Sequence, residues 1–255
     1  MLTASERNEK RQPKLSVVTP VRNERIRIGR AIDSLKRQSF KDYEHIIVDG
    51  SSTDGTLELV EKEATGSEGR IRILKDVTGG VYNAINEGIN VSNGEYIALL
   101  HGSDAFAADD VMESAVSLLE KTGADLLYGD LHYVNAKGRR VRYYSGKKFR
   151  PQLLRDGFMP PHPTVIVRRE LLARVGPYSK EYPISADFDW LCRAILKHEA
   201  KTVYLELDMV EMSTGGLSGR LSSRLWRHNA EKYRSLRANG FKINPFRLLK
   251  RYLYL

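Results

Sequence analysis

The sequence predicts an α/β protein whose mostly parallel sheet is sandwiched by helices. Three observations carry the prediction. Short apolar, β-branched runs alternate with segments of helical periodicity for about 130 residues. The run Ile46-Ile47-Val48 is continuous, as in a strand buried on both faces. Several runs also stop in turn formers and acids, and open parallel sheets bind ligands at that C-terminal edge.

Leu15 to Thr19 reads as the first strand, ended by Pro20, with Val21 to Glu24 as a loop. Ile28, Ala31, Ile32 and Leu35 are spaced i, i+3, i+4, i+7, which gives one apolar helix face. The second strand stops at Asp49-Gly50. Ser51 to Gly55 form a turn, and Thr56 to Lys62 a helix. Ile71 to Leu74 is a third strand. Val81, Ile85 and Ile89 form the stripe of a third helix. Tyr96 to Leu100 is a fourth strand, Ala108 to Lys121 a helix with Val111, Ala115, Leu118 and Leu119 inward, and Leu126 to Tyr128 a fifth strand. The rhythm breaks after Asp130. Leu131 to Ser145 predicts a hairpin turning at Asn135-Ala136-Lys137-Gly138. A Pro-containing loop to Pro163 precedes a strand at Val165 to Val167 and a helix at Arg169 to Val175. Asp187 to Lys197 predicts a helix, Thr202 to Met212 one or two strands, Ser213 to Gly219 a Gly-rich loop, and Ser222 to Asn239 a helix.

The 255 residues suffice for one large core. Charged residues at 29% and hydrophobic ones at 41% are ordinary for a globular protein. The lone Cys192 excludes an internal disulfide and fits a reducing compartment. Met1 to Lys14 lack the apolar stretch of a signal peptide, and no run approaches the ~18 apolar residues of a spanning helix. These features predict a cytoplasmic protein. From Arg220 onward ten basic residues face a single acid, Glu231, so the whole formal charge of +9 resides there. The expected organisation is a disordered lead-in over 1–13, a domain over 14–219 and a basic, partly amphipathic helical tail over 220–255.

Three parallel strands should deliver Glu24, Asp49 and Asp104 to one cleft. One such acid reads as a cap; three on successive strands read as a site. Gly79-Gly80 ahead of a helix lets backbone N–H groups approach a phosphate, although a plain turn is as good a reading. Asn83 and Asn86 lie in the first turns of that helix. Asp104 beside a phosphate suits Mg²⁺ or Mn²⁺, which complete their shells with water and phosphate oxygens. No Cys/His cluster suggests zinc. Asp187 could cap a helix with Asp189 inside it, or one of the two could serve as a general base.

Taken together these residues resemble the family 2 glycosyltransferases, inverting enzymes of Rossmann-like GT-A fold. The likeness covers roughly Lys14 to Gly219 and rests on Leu15 to Glu24, Val48 to Thr56, Gly79 to Ile89, Gly94 to Ile97, His101-Gly-Ser-Asp104 and Ala186 to Arg193. It is nearest to the branch that builds bacterial surface polysaccharides. The resemblance implies that Thr19, Pro20, Val21, Glu24, Asp49, Ser51, Gly80, Asn83 and Ser103 hold the donor nucleotide. It implies that Asp104 binds Mn²⁺ or Mg²⁺ and that Asp187 is the catalytic base. It further suggests Asp54, His101, His162, Asp189, Gly216 and Ser218, with His162 and the Ser213 to Ser218 loop as lids. Two positions depart from the pattern: Ala186 stands where Glu is common, and Ala105 where a second metal acid is common. The implied partners are a nucleotide-sugar donor, with UDP as the commoner nucleotide of the family, and a glycan or polyprenyl-diphosphate acceptor. The basic tail suits the inner face of an anionic membrane. Competing readings are a sugar-nucleotide nucleotidyltransferase and a nucleic-acid-binding protein; the neutral body argues against nucleic acid.

Overall fold

The computed structural model describes residues 12–67, 69–214 and 221–248. The lead-in over 1–11 lies outside them. In chain order the elements are β1 (Leu15–Val21), α1 (Ile28–Arg37), β2 (Tyr43–Asp49), α2 (Thr56–Thr65), β3 (Ile71–Leu74), α3 (Val81–Val91), β4 (Tyr96–Leu99) and β5 (Ala105–Phe106). There follow α4 (Val111–Thr122), β6 (Leu126–Val134), β7 (Arg140–Tyr144), β8 (Ile166–Arg168), α5 (Arg169–Val175), α6 (Ala186–Leu191), β9 (Thr202–Ser213) and α7 (Leu221–Ala238). Short 3₁₀ turns occupy Pro151–Asp156 and His162–Thr164, and α6 runs on into a π-helical turn at Cys192–Lys197.

The nine-stranded sheet has the order β3-β2-β1-β4-β8-β6-β9-β5, with β7 paired to β6. The first four strands are mutually parallel. β8 runs against both β4 and β6, and β9 is parallel to β6. Six strands therefore share one direction, as the alternation predicts, while β5, β7 and β8 oppose it.

Side chains alternate across the sheet with period two. Val18, Ile46, Val48, Ile97 and Leu99 pack with Ala84 and Ile85 of α3 and with Phe188 and Trp190 of α6. Leu15, Val17, Ile47 and Ala98 pack on the other side with Ile28, Ile32 and Leu35 of α1 and Val111, Ala115 and Leu119 of α4. Each buried Val, Leu or Ile among them contributes ~1.5–3 kcal/mol.

Several elements differ from expectation. β1 continues through Pro20 to Val21, because the β1–β4 register ends at Val18↔Leu99 and the missing proline N–H faces no ladder partner. Val81 is 37% exposed and so falls off the predicted stripe of α3, while Ile85 is buried beside Ala84 and Gly88 and Ile89 packs against the core. β6 does not stop at Tyr128 but runs nine residues, past a register shift beside Asp130. Thr202 to Ser213 is one strand, and β5 is too short for periodicity to reveal.

The tail is not an appendage over its described part. Glu231, Lys232, Ser235 and Leu236 on the inner face of α7 are buried. Arg247 pairs with Asp156, and Leu248 is buried. Among the described residues no helix is long and apolar enough to cross a membrane.

Candidate active site

The loops after β1 and β2 are stitched into one surface. The Asn23 N–H donates to Ser52 Oγ at 2.9 Å, and the Thr53 N–H donates to Asn23 Oδ1 at 2.9 Å. Asn23 and Ser51 both adopt left-handed backbone, with φ of 55° and 59°. Asp54 ties this surface together. It accepts the Arg25 N–H at 3.1 Å and the Thr56 N–H at 3.0 Å. The Thr56 hydroxyl above all, with these amides, lowers its pKa. Asp54 thus stabilises the turn rather than presenting a free carboxylate to the cleft. Asp49 ends β2 with its side chain buried; Oδ2 accepts the Ser52 N–H at 2.9 Å, and Oδ1 has no hydrogen-bond partner.

Asp104 follows β4 in the turn leading to β5. It is 2% exposed. Ser103 donates its hydroxyl to Oδ1 at 3.2 Å, while Oδ2 is buried without a partner. Burial pushes this carboxyl up to about 7, and the nearby Glu24 charge adds to the rise. Ser103, the Ser213 backbone and the Arg30 charge oppose it. Arg30 of α1 is held in turn by Glu211 and by Ser213 Oγ at 3.3 Å, and Ser213 donates to the Ser103 carbonyl at 2.9 Å. Glu24 accepts from Arg27 at 2.6 Å. Glu24 and Asp104 therefore share one edge of the sheet, as expected.

A buried carboxylate oxygen with no donor costs several kcal/mol unless a proton or a cation meets it. Asp104 thus fits a divalent cation. Among the described residues no three His, Cys, Asp or Glu side chains form a metal cage; a hard ion here would draw its other ligands from water and phosphate.

Asp187 lies in the first turn of α6, half-buried, with Oδ1 accepting the Phe188 N–H at 2.7 Å. Its charge is felt at Tyr82 of α3, His101 after β4, His162 and Tyr178. Four separate segments therefore converge on it. Burial lowers the pKa of His101 and of His162, and the Asp187 charge partly opposes this in each. Tyr82 donates to the Ile184 carbonyl at 3.1 Å, and its ring stacks on Tyr178, which stacks on Trp190.

Some predicted site residues are occupied elsewhere. Thr19 is fully buried, with Oγ1 2.8 Å from His45 Nε2 inside the layer under α1, so its side chain does not reach the cleft. His162 is no lid: it is buried and paired with the Tyr178 hydroxyl at 3.1 Å. Asp189 is structural, accepting from Arg193 at 2.9 Å, Ser235 at 2.7 Å and Asn239 at 3.1 Å. Asn83 donates to the Thr78 carbonyl at 2.7 Å, closing its own loop, and Asn86 is turned inward onto the Tyr178 backbone. Gly79 and Gly80 both need positive φ, 93° and 88°, before α3. Pro20 and Val21 are buried at the end of β1, and Ser103 flanks Asp104. Gly216 and Ser218 lie outside the described residues. Arg30 and Glu231 join the residues that support the site. Nothing local marks Arg30, but Glu231 is the single acid in a basic stretch, and that is a signal.

The fold and its acidic strand edge define a glycosyltransferase of GT-A type. The family model described as "Glycosyl transferase family 2" matches residues 16–176, and the chain belongs to that family. The match ends before Asp187. Curated relatives include the PGL/p-HBAD biosynthesis glycosyltransferase of Mycobacterium bovis, 29% identical over 211 residues, 82% of this chain and 80% of that one. Another is the O-antigen biosynthesis protein RfbC of Myxococcus xanthus, 30% identical over 72% of this chain and 14% of that protein. Similar solved structures include S. aureus TarS 1-349 in complex with UDP-GlcNAc, with TM-score 0.72 and 20% identity over 95% of this chain and 73% of that one. The longer TarS chain is covered over 43%. The mannosyltransferase PcManGT from Pyrobaculum calidifontis, in complex with GDP-Man and Mn²⁺, gives TM-score 0.67 and 19% identity, covering 96% and 71% of the two chains.

Proposed function

We propose that the protein transfers a sugar, with inversion, from a nucleotide diphosphate sugar to a hydroxyl of a glycan or lipid-linked acceptor. The observation that carries this reading is the pair of buried carboxylates with an unpartnered oxygen, Asp49 at the C-terminal end of β2 and Asp104 in the turn that follows β4. Pro20, Val21, Glu24, Asp49 and Ser51 line the base and ribose site, and Gly80 with the first turn of α3 faces the phosphates. Asp104 would hold Mn²⁺ or Mg²⁺, which supplies charge neutralisation to the departing diphosphate. Asp187 takes the proton of the acceptor hydroxyl. The hydroxyl oxygen bonds to the anomeric carbon as the bond to the nucleoside diphosphate breaks on the opposite face. UDP is the favoured nucleotide, consistent with the UDP-GlcNAc complex of TarS.

The acceptor reading draws on the relatives' names, which refer to PGL/p-HBAD and O-antigen biosynthesis. An anionic membrane surface at the inner face of the cytoplasmic membrane is the partner that suits α7, whose exposed residues include Trp226, Arg227, Arg234 and Arg237. The test is thermal stability with UDP, GDP, CMP and dTDP, each with and without Mn²⁺, followed by product analysis with the matching nucleotide sugar. A metal-enhanced shift and release of nucleoside diphosphate are expected. Release of pyrophosphate would mark a nucleotidyltransferase, and no shift with any nucleotide would sink the donor reading.

A further inference from the structure

Glu231 is buried, 5% exposed, in the middle of a basic helix. Its Oε2 accepts the backbone N–H of Ile184 at 3.0 Å and of Ser185 at 2.8 Å. Ser185 is the N-cap residue of α6, and its own side chain makes no cap hydrogen bond. The carboxylate therefore fixes the entry of the chain into α6, and its charge complements the positive end of the helix.

The other inward residues of α7 continue the same grip. Ser235 and Asn239, four and eight residues after Glu231, share one helix face with it and both donate to Asp189. Lys232 donates to the Gly157 carbonyl at 2.8 Å and sits 4.5 Å from the Phe188 ring centre. Ile184 is clamped at both ends, its N–H by Glu231 and its carbonyl by Tyr82. Ile184, Ser185, Phe188 and Asp189 are thus all held by α7, and they flank Asp187 on both sides. α7 lies beyond the stretch matched by the family model.

We propose that Glu231 is the positioning residue for Asp187, acting through the backbone of Ile184 and Ser185. This rests on Asp187 being the proton acceptor. A base displaced by even an ångström loses much of its effect, so the consequence of losing Glu231 should fall on turnover more than on donor binding.

The experiment compares Glu231→Ala, Glu231→Gln, Glu231→Asp and Asp187→Asn in the full chain. It follows hydrolysis of whichever nucleotide sugar gives the largest thermal shift, together with the Kd of the corresponding nucleoside diphosphate. Glu231→Ala is expected to lower kcat about tenfold or more, with Kd unchanged within about twofold. Glu231→Gln keeps an oxygen that accepts both N–H groups and should retain most of kcat. Glu231→Asp withdraws the carboxylate by one methylene and should lose kcat while folded, which keeps the test decisive if the alanine variant does not fold. Parental kcat in folded Glu231→Ala or Glu231→Asp overturns the proposal, as does nucleotide affinity falling in step with kcat. If Asp187→Asn is inactive while the Glu231 variants are parental, the positioning role alone fails. If Asp187→Asn is active, the assignment of the base fails and the positioning role with it.

Discussion

Ser235 of α7 donates its hydroxyl to Asp189 of α6 at 2.7 Å, and this bond separates the two acids of the Asp187-Phe188-Asp189 segment. Asp189 also receives Arg193 and Asn239 and is 3% exposed, so its charge is consumed by structure. Asp187 is half-buried and looks toward Tyr82, His101 and His162. Asp189→Ala should cost about 3 kcal/mol of stability, because it leaves Arg193 beside an emptied site. Asp187→Asn should keep the parental melting temperature and nucleotide affinity and abolish turnover. Thermal denaturation and initial rates on both variants check this; equal losses of activity at parental stability would contradict the division.

Asp104 makes a prediction of the opposite kind. Its carboxyl is raised to about 7 by burial, against 3.8 in the unfolded chain. The unfolded state releases this proton first as pH rises, so the group's contribution to stability is present below pH 4 and is lost as pH climbs toward 7. The cation-free protein should therefore carry a penalty of about 4 kcal/mol at pH 8. Asp104→Asn removes that penalty and should melt higher than the parent at pH 8, not at pH 4. Mn²⁺ with nucleotide should then stabilise the parent and leave the variant unmoved. Melting curves at the two pH values, with and without Mn²⁺, measure it; a variant less stable than the parent at pH 8 would contradict it.

These two acids also show what the sequence discloses. Asp49 ends β2 and Asp104 lies in the turn after β4, both after continuous apolar runs, so their placement follows from local pattern alone. α5 and β3 were legible for the same reason. Residues with remote partners were not. Thr19 meets His45 26 positions away, His162 meets Tyr178 16 away, and Asp189 meets Ser235 46 away. Asp130 looks like the end of a strand, yet β6 runs through it. The Tyr143 and Tyr204 hydroxyls, Ser145 and the Gly146 amide satisfy its buried carboxylate. The polar stripe Glu231, Ser235, Asn239 reads from composition as solvated surface; only packing on α6 shows its use.

His45 predicts acid sensitivity. It is 1% exposed, and burial drives its pKa to about 3 from 6.5. The folded protein keeps it neutral while the unfolded chain takes up a proton below pH 6.5. Stability is thus intact above that value and falls as pH drops toward 3, by on the order of 3 kcal/mol at pH 4. Burial lowers His101 and His162 in the same direction. His45→Gln should lose some stability at pH 7.5 through repacking against Thr19, but should show a shallower decline between pH 6.5 and 4. Denaturant titrations at several pH values test the slope; parallel curves for parent and variant would refute the assignment.

The exposed residues of α7 and of the segment after it carry the last prediction. Trp226 is 82% exposed, Phe246 is 75% exposed, and Arg227 and Arg237 are exposed. Aromatic rings at the headgroup level and basic residues beside them suit an anionic interface, where each Lys or Arg is worth ~1 kcal/mol at low salt. The protein should co-sediment with phosphatidylglycerol vesicles and not with phosphatidylcholine ones, and 0.5 M salt should weaken it, since the Debye length then falls below about 5 Å. Arg227→Glu with Arg237→Glu should reduce binding by about tenfold or more, by removing two attractions and adding two repulsions. Trp226→Ala should weaken binding without changing the salt dependence. Trp226 and Arg237 lie across α7 from Glu231 and Ser235, and Arg227, one turn ahead of Glu231, is exposed, so nucleotide binding in solution should stay parental. Equal binding to the two vesicle types would refute electrostatic docking and leave Trp226 as an apolar contact for some other surface.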